Sequence, residues 1–174
     1  MDNETLQTMH DEMQIRKLIS NMCRGADRCD AELLKSIYWP DATYSHVFFE
    51  GNAHEYAKVL IPMLKEKTES TVHVIGNYTI EIDGDIACCE TYISNFIRVK
   101  PNGTQNTSVI ICGRLLDRAE RRNGEWRISA HKVLLEWEMN GAAMFGEDTI
   151  RKVMAVDRRG SDDISYRFFA NKTL

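Results

Sequence analysis

The sequence predicts an α+β fold in which three N-terminal helices pack on one face of a strongly curved antiparallel sheet. Two patterns carry this prediction. Apolar residues recur at helical spacing over about residues 4–27, and the chain beyond residue 70 consists mainly of strand-forming stretches separated by tight-turn sequences. Helices followed by an antiparallel meander form two layers around one core. A sheet of this kind curls into an open cone, and we expect a pocket at its wide end.

The three helices are predicted from apolar spacing and from capping residues. In the first helix, over about residues 4–27, the apolar stripe consists of Ile15, Leu18, Ile19, Met22, Cys23 and Ala26. Asp30 can cap a short second helix over residues 31–37, because an Asp side chain accepts a hydrogen bond from an amide of the first turn. Asn52 and Glu55 resemble a capping box, which predicts the start of a third helix.

The strands are predicted from strand-forming residues and turn sequences. The segment Trp39-Pro40-Asp41 is expected to break the chain, and residues 43–49 are typical of a strand. Four longer strands are predicted over residues 72–82, 86–99, 107–121 and 126–138. Their connections contain Asp83-Gly84-Asp85, Pro101-Asn102-Gly103 and Asn123-Gly124, of which Asn-Gly is the strongest hairpin signal. A further short helix is expected over residues 148–156.

Length, charge and cysteine content limit the class of protein. A chain of 174 residues fits one domain, which we expect over residues 1–145, with an extension over 146–174 that packs on the domain or on a neighbouring subunit. The net charge of -4 and the pI of about 5.7 argue against nucleic acid or an anionic membrane as partner. No apolar run approaches ~18 residues, so no membrane span is expected. The odd number of cysteines, five, indicates reduced thiols and a cytoplasmic location.

Asp27 and His73 are the candidate catalytic residues. Asp27 closes the first helix beside the apolar stripe, where the helix dipole disfavours a carboxylate by roughly 0.3–1 kcal/mol, so the acid needs a partner. A histidine held by a buried acid can act as a general base at neutral pH. From position alone, Asp27 could equally pair with Arg24 or Arg28, and His73 could be structural. The remaining histidines lack metal-ligand spacing, so neither a metal nor another cofactor is expected.

The order of several short motifs resembles a known group of proteins. The motifs are Gly25-Ala26-Asp27-Arg28, Trp39-Pro40-Asp41-Ala42, Thr71-Val72-His73-Val74-Ile75-Gly76-Asn77, Ile82-Asp83-Gly84-Asp85-Ile86-Ala87 and Arg122-Asn123-Gly124-Glu125-Trp126-Arg127-Ile128. Over about residues 10–139 the chain resembles the SnoaL-like branch of the NTF2-like (nuclear transport factor 2-like) superfamily. Within it, the chain is similar to hexachlorocyclohexane dehydrochlorinases, scytalone dehydratases and bile acid 7α-dehydratases. The resemblance implies a cone-shaped barrel, a homotrimer and lyase activity.

The resemblance also implies roles for individual residues. It assigns Asp27 and His73 to the acid–imidazole pair of these lyases. His131 takes the position of an arginine that assists the leaving group in the dehydrochlorinases, and a histidine, unlike an arginine, could donate a proton there. Met22 stands where the bile acid enzymes carry a tyrosine. Asn95 aligns near one of their aspartates, which gives a less acidic pocket.

The predicted reaction is a cofactor-independent elimination. His73 would abstract a proton from a carbon beside a carbonyl or an aromatic ring, and His131, Asn95 or Tyr44 would bind or protonate the departing water, halide or small carbon fragment. Aromatic side chains suit a hydrophobic or aromatic substrate, and the candidates for lining the pocket are Tyr44, Phe48, Phe49, Tyr92 and Trp137. One alternative is the non-catalytic small subunit of an aromatic-ring-hydroxylating dioxygenase. Another is an isomerase or cyclase on the same fold.

Overall fold

A computed structural model describes residues 2–101, 107–142 and 159–172 of the chain. In chain order the elements are α1 (Asn3–Asp27), α2 (Ala31–Ser36), β1 (Tyr38–His46), β2 (Phe49–Asn52), α3 (Ala53–Lys67), β3 (Thr68–Asp83), β4 (Ile86–Val99), β5 (Thr107–Arg122), β6 (Glu125–Ala142), a 3-10 turn (Gly160–Asp162) and α4 (Ile164–Asn171). The predicted α+β fold, with helices on a curved antiparallel sheet, is confirmed.

The sheet has six strands in the order β2-β1-β6-β5-β4-β3. All neighbouring pairs are antiparallel except β1 and β6, which run parallel. The face that packs against the helices, here called the inner face, carries the buried side chains of the long strands. On β4 and β5 these are Ala87, Cys89, Thr91, Leu115, Asp117 and Ala119. Every second residue therefore faces the helices, and the residues between them form the outer face.

The end of α1 brings its last turn against α2 and turns the chain back sharply. Cys29 adopts a left-handed backbone conformation with φ 52°, and the Asp30 amide donates to the Gly25 carbonyl at 2.8 Å. This is the six-to-one hydrogen bond of a Schellman motif, which fixes the last residues of the helix. A Cβ atom on Gly25 would lie 3.0 Å from the Leu34 amide nitrogen, so glycine permits the close approach of α2. Asp27 is thereby held at a defined place.

Several segments differ from the prediction. Trp39-Pro40-Asp41 lies inside β1 and does not break the chain. The pairing of β1 with β6 shifts register between Tyr38 and Thr43. Pro40, which has no amide hydrogen to donate, is therefore tolerated within the strand. The expected helix over residues 148–156 and the domain boundary after residue 145 lie outside the described residues. The described part of the C-terminal extension contains α4, a helix that the sequence analysis does not predict.

The outer face of β3–β6 exposes apolar side chains in two neighbouring rows. One row follows the register Val72, Phe96, Ile110 and Met139, and the next follows Val74, Ser94, Cys112 and Trp137. Val72, Val74, Phe96, Trp137 and Met139 are each about half exposed. Contiguous exposed apolar surface is typical of interaction sites in other proteins. Among the described helices, none is long and apolar enough to cross a membrane.

Candidate active site

Asp27 and His73 lie in direct contact on the inner side of the sheet. The Asp27 Oδ1 atom is 2.5 Å from His73 Nδ1, and the His73 backbone amide donates to Asp27 Oδ2 at 2.9 Å. One carboxylate therefore holds both the backbone and the ring of the same histidine. The side chains are only 12% and 18% exposed. The position of Asp27 at the C-terminus of α1 is compensated by these two donors, since the dipole there disfavours an unpartnered acid.

The contact with Asp27 determines which nitrogen of His73 can act as a base. A separation of 2.5 Å between Nδ1 and a carboxylate oxygen requires a proton between them. The neutral ring consequently carries its hydrogen on Nδ1, and its lone pair is on Nε2. Asp27 also stabilises the positive charge that forms when Nε2 accepts a proton.

Asn95 is the cross-strand neighbour of His73. The register of β3 and β4 pairs these two residues directly, so both side chains point to the inner face. The Asn95 Oδ1 atom is buried and has no hydrogen-bond partner within the described residues. Buried amide oxygens normally have a partner, so an unpartnered one beside His73 is a candidate ligand contact.

His131 belongs to a second acid–imidazole pair, with an acid that the sequence did not single out. Its Nδ1 atom lies 2.6 Å from Oδ1 of Asp117, which is opposite it on β5. Both side chains are 1% exposed. Sequence reasoning missed Asp117, although it alternates in phase with the apolar residues Leu115 and Ala119, which are buried. That shared parity was the signal that could have assigned it to the inner face.

Tyr44 lies close to His131, and Met22 belongs to the same hydrophobic core cluster as Tyr44. The Tyr44 ring centroid is 4.4 Å from that of His131 and 3.8 Å from that of Tyr56, against which it stacks. Met22 is buried, and its sulfur accepts a hydrogen bond from the Tyr38 hydroxyl at 3.3 Å. Burial, followed by the charge of Asp117, raises the pKa of Tyr38 well above its ordinary value, so this hydroxyl stays protonated.

Cys23 is a buried residue near the end of α1. Burial of its thiol, and then the charges of Asp27 and Asp117, raise the pKa of Cys23 to about 12. By strand register, His73, Asn95 and Asp117 all belong to the inner face of the sheet.

The structure corrects the expected placement of Tyr92 and Trp137, which do not join the other site residues. Both are on the outer face, 48% and 50% exposed, where they line a groove of about 230 Å³. On β4 the buried positions are odd-numbered, so Tyr92 necessarily points away from Asn95. On β6 a bulge between Leu135 and Trp137 reverses the alternation and turns Trp137 outward.

Phe48 contacts the end of β1, and the segment 159–172 contacts the end of α1. Phe48 is in the turn between β1 and β2, 56% exposed, with its ring 4.4 Å from that of His46. The segment 159–172 contacts the end of α1: Tyr166 donates to Asp30 at 2.6 Å and Arg24 donates to Ser165 at 2.9 Å. Within the described residues, no three His, Cys, Asp or Glu side chains are grouped so as to hold a metal ion.

Comparison of the sequence with protein families matches the chain to a known domain family. A model of the SnoaL-like domain matches residues 7–132, which is more than two thirds of the chain. No curated protein is significantly similar to the chain in sequence.

Solved structures with the same fold include several proteins named as lyases. A hexachlorocyclohexane dehydrochlorinase (LinA) Type2 is 22% identical and superimposes with a TM-score of 0.74 over 84% of this chain and 99% of its own. The LinA-type3 dehydrochlorinase from Novosphingobium barchaimii LL02 is 20% identical, with a TM-score of 0.73 over 82% and 98%. A protein assigned as a scytalone dehydratase from Novosphingobium aromaticivorans DSM 12444 is 14% identical, with a TM-score of 0.69 over 78% and 90%. At these identities the likeness shows the shared fold.

Proposed function

The chain belongs to the SnoaL-like domain family, and on that basis we propose that it is a cofactor-independent lyase that removes a carbon-bound proton and eliminates a leaving group. The observation that carries the proposal is the contact between Asp27 and His73, with Nδ1 held at 2.5 Å and Nε2 left as the basic nitrogen. Solved relatives on this fold include proteins named as dehydrochlorinases and a scytalone dehydratase.

The first half of the proposed reaction is proton abstraction. The lone pair on His73 Nε2 takes a proton from a carbon made acidic by an adjacent carbonyl or aromatic ring. Asp27 keeps the ring in the required tautomer and stabilises the imidazolium as it forms. The Asn95 side chain, directly opposite His73, is positioned to hydrogen-bond to the substrate through its unpartnered oxygen or its amide group.

The second half is departure of the leaving group. His131 is the proposed assistant, with Tyr44 beside it. Met22 and Tyr44 give the interior an apolar character, and Phe48 stands at its edge, so the proposed substrate is a hydrophobic or aromatic small molecule. A cytoplasmic location, as the five cysteines predict, forms part of the same proposal.

The proposal is tested with compounds that carry an acidic C–H and a leaving group on the next carbon. Purified protein would be incubated with aryl ketones bearing a β-hydroxyl or β-chloro substituent, and formation of the conjugated enone would be followed by its absorbance. The expected result is catalysed enone formation that is slowed when the acidic carbon carries deuterium, because the proposed step breaks that C–H bond. An isomerase or cyclase would give products of unchanged mass, which mass spectrometry would reveal.

We further propose that the two exposed rows on the outer face join three copies of the chain. Replacement of Val74 by glutamate would place a charge in the centre of these apolar rows, where Val74 is 48% exposed. Light scattering is expected to give about three times the 20.0 kDa chain mass for the wild type and one chain mass for Val74→Glu.

The matched control is Val47→Glu, because Val47 is 75% exposed on the β1–β2 turn, away from these rows. This variant should keep the mass of the wild type. A wild-type chain that is monomeric alone, and that associates only with a larger iron-containing subunit, would instead support the dioxygenase small-subunit alternative.

A further inference from the structure

The segment 159–172 contacts both of the elements that carry Asp27 and His73, which are α1 and β3. Resting on the proposed function, we infer that Asp163 is a positioning residue: through Arg28 it holds the end of α1, so that Asp27 stays in contact with His73. The proposed reaction then has a second requirement, because the base is correctly oriented only while this C-terminal segment is docked on the helix.

The C-terminal end of α1 depends on partners outside the helix. The last carbonyl groups of a helix have no donor within it, and helix ends open more readily than helix interiors. The dipole there also disfavours the carboxylate of Asp27. The Asp30 amide satisfies part of this end by donating to the Gly25 carbonyl at 2.8 Å. The Gly160 amide of the C-terminal segment donates to the Arg28 carbonyl at 2.5 Å, which extends the hydrogen bonding past the last helical residue.

Side chains of the C-terminal segment also contact residues on either side of Asp27. The Asp163 Oδ2 atom is 3.3 Å from Arg28 Nε. Arg24, which precedes Asp27 in the chain, donates a hydrogen bond to the segment, and Asp30, which follows it, accepts one from the segment. The proposed catalytic acid is therefore held from both sides by contacts with the segment.

Asp163 is a buried acid at the centre of these contacts, with 5% of its surface exposed. Its Oδ1 atom accepts from the Ser165 amide at 2.9 Å and caps α4, while Oδ2 faces Arg28. A carboxylate that is removed from water is stable only with a positive partner or several donors. The pair of Asp163 with Arg28 therefore fixes the start of α4 to the end of α1.

Arg159 joins the same segment to β3. Its Nη1 atom donates to the Leu64 carbonyl at 2.9 Å and to the Thr68 carbonyl at 3.2 Å. Thr68 is the first residue of β3, and His73 lies further along that strand. The segment thus braces the two elements that the contact of Asp27 with His73 also joins. Interactions that share such elements are coupled, so docking of the segment and formation of the contact should favour each other.

The position of the end of α1 matters because Asp27 makes two contacts with His73 at once. Its Oδ1 atom is 2.5 Å from the ring Nδ1 atom, and its Oδ2 atom accepts from the backbone amide at 2.9 Å. A displaced helix end would lengthen both. Misplacement of a catalytic group by ~1 Å can lower the rate about 100-fold. The loss falls on kcat when no ground-state contact with the substrate is changed.

The first test measures the contact without turnover, by hydrogen exchange of the His73 backbone amide. Asp163→Asn removes the charge opposite Arg28 but keeps the cap of α4, since asparagine caps helices as well as aspartate does. Exchange of the His73 amide is expected to become at least tenfold faster. The amide of Leu115, on β5 with a strand on either side, should change less than twofold, because the opening is local.

Asp162→Asn is the matched control, because Asp162 is the preceding residue and is exposed. This variant should keep exchange of the His73 amide within twofold of the wild type. Unchanged exchange in Asp163→Asn would overturn the inference. Equal acceleration at His73 and Leu115 would also overturn it, because Asp163 would then only stabilise the fold as a whole.

Arg28→Gln tests whether Asp163 acts through Arg28. Each single variant should accelerate exchange of the His73 amide. The double variant should exchange no more than twofold faster than the faster single variant, because the effects of two residues that form one pair are not additive. Multiplied effects in the double variant would show that the two residues act separately, which contradicts the role assigned to Asp163.

Turnover of a β-chloro aryl ketone connects the contact to the reaction. Asp163→Asn should lower kcat about tenfold with KM unchanged, and Asp162→Asn should keep kcat within twofold of the wild type. A normal kcat in Asp163→Asn despite faster exchange would refute the positioning role. A wild type that does not convert the ketone would count against the proposed function, while the exchange data would still decide whether Asp163 holds Asp27 against His73.

Discussion

Replacement of His73 with alanine is expected to lower kcat/KM for elimination by roughly 10²–10⁴-fold, the range that a positioned general base contributes. The reason lies in the geometry of the pair. Asp27 holds Nδ1 of His73 at 2.5 Å, so Nε2 is the basic nitrogen offered to the substrate. Alanine removes that nitrogen, and within the described residues no second imidazole contacts Asp27. Steady-state elimination of a β-substituted aryl ketone measures the effect.

Replacing Asp27 with asparagine tests whether His73 needs the negative charge of its partner as well as a side chain of that size. Asp27→Asn retains a side chain of the same size but removes the negative charge, so the protonated ring loses its stabilisation and activity should fall substantially, with the protein still folded by circular dichroism. His10→Ala is the control, because His10 is a histidine of the same α1 helix with a side chain that is 63% exposed. Full activity in His73→Ala would show that the base is elsewhere.

The contact between Asp27 and His73 could be anticipated from the sequence only through the order of the surrounding motifs. Helical spacing gives the position of Asp27 at the end of α1, and strand pattern gives His73 in β3. Neither pattern shows that the end of α1 packs against β3. That packing depends on the turn at Cys29 and on the close approach at Gly25. Asp27 and His73 are 46 positions apart, so their contact is a property of the tertiary structure. Local patterns were therefore equally compatible with structural roles for both residues.

The face of the sheet to which a side chain points can be predicted from the sequence where a strand alternates regularly. It cannot be predicted in this way beyond a β-bulge. On β4 the alternation is continuous, so the assignment of Asn95 to the inner face required Tyr92 to be outside. Trp137 lies beyond the bulge opposite Cys112 and Gly113. A Cβ atom on Gly113 would lie 2.2 Å from the Leu134 carbonyl oxygen, so the irregularity depends on a backbone contact that the sequence pattern does not reveal.

Asp11 is the acid whose loss should most reduce the stability of the fold. It is 4% exposed on α1 and accepts hydrogen bonds from Trp126 Nε1 at 2.9 Å, Arg121 at 2.8 Å and Gln7 at 3.0 Å. It is not among the residues that the sequence singles out. In the fold it ties the first half of α1 to the β5–β6 hairpin, because Arg121 and Trp126 flank the turn of that hairpin.

Asp11→Ala is expected to lower the free energy of unfolding by about 3 kcal/mol. The buried indole N–H would lose its acceptor, which costs about 1–3 kcal/mol, and Arg121 would lose a charged partner. The loss at Arg121 is smaller than for a fully buried pair, because its side chain is 24% exposed and can be hydrated. Urea denaturation followed by tryptophan fluorescence measures the change.

The neighbouring acid Glu12 is the matched control for this prediction. Its side chain is 35% exposed and pairs with Arg16 one turn along the same helix, so Glu12→Ala should change the free energy of unfolding by no more than about 0.5 kcal/mol. Equal effects of the two substitutions would mean that Asp11 acts only as a surface charge.

If Asp11 fixes the helix on the sheet, Asp11→Ala should also weaken the contact of Asp27 with His73 at the far end of α1. Faster hydrogen exchange of the His73 amide, which donates to Asp27 Oδ2 at 2.9 Å, would then accompany the loss of stability.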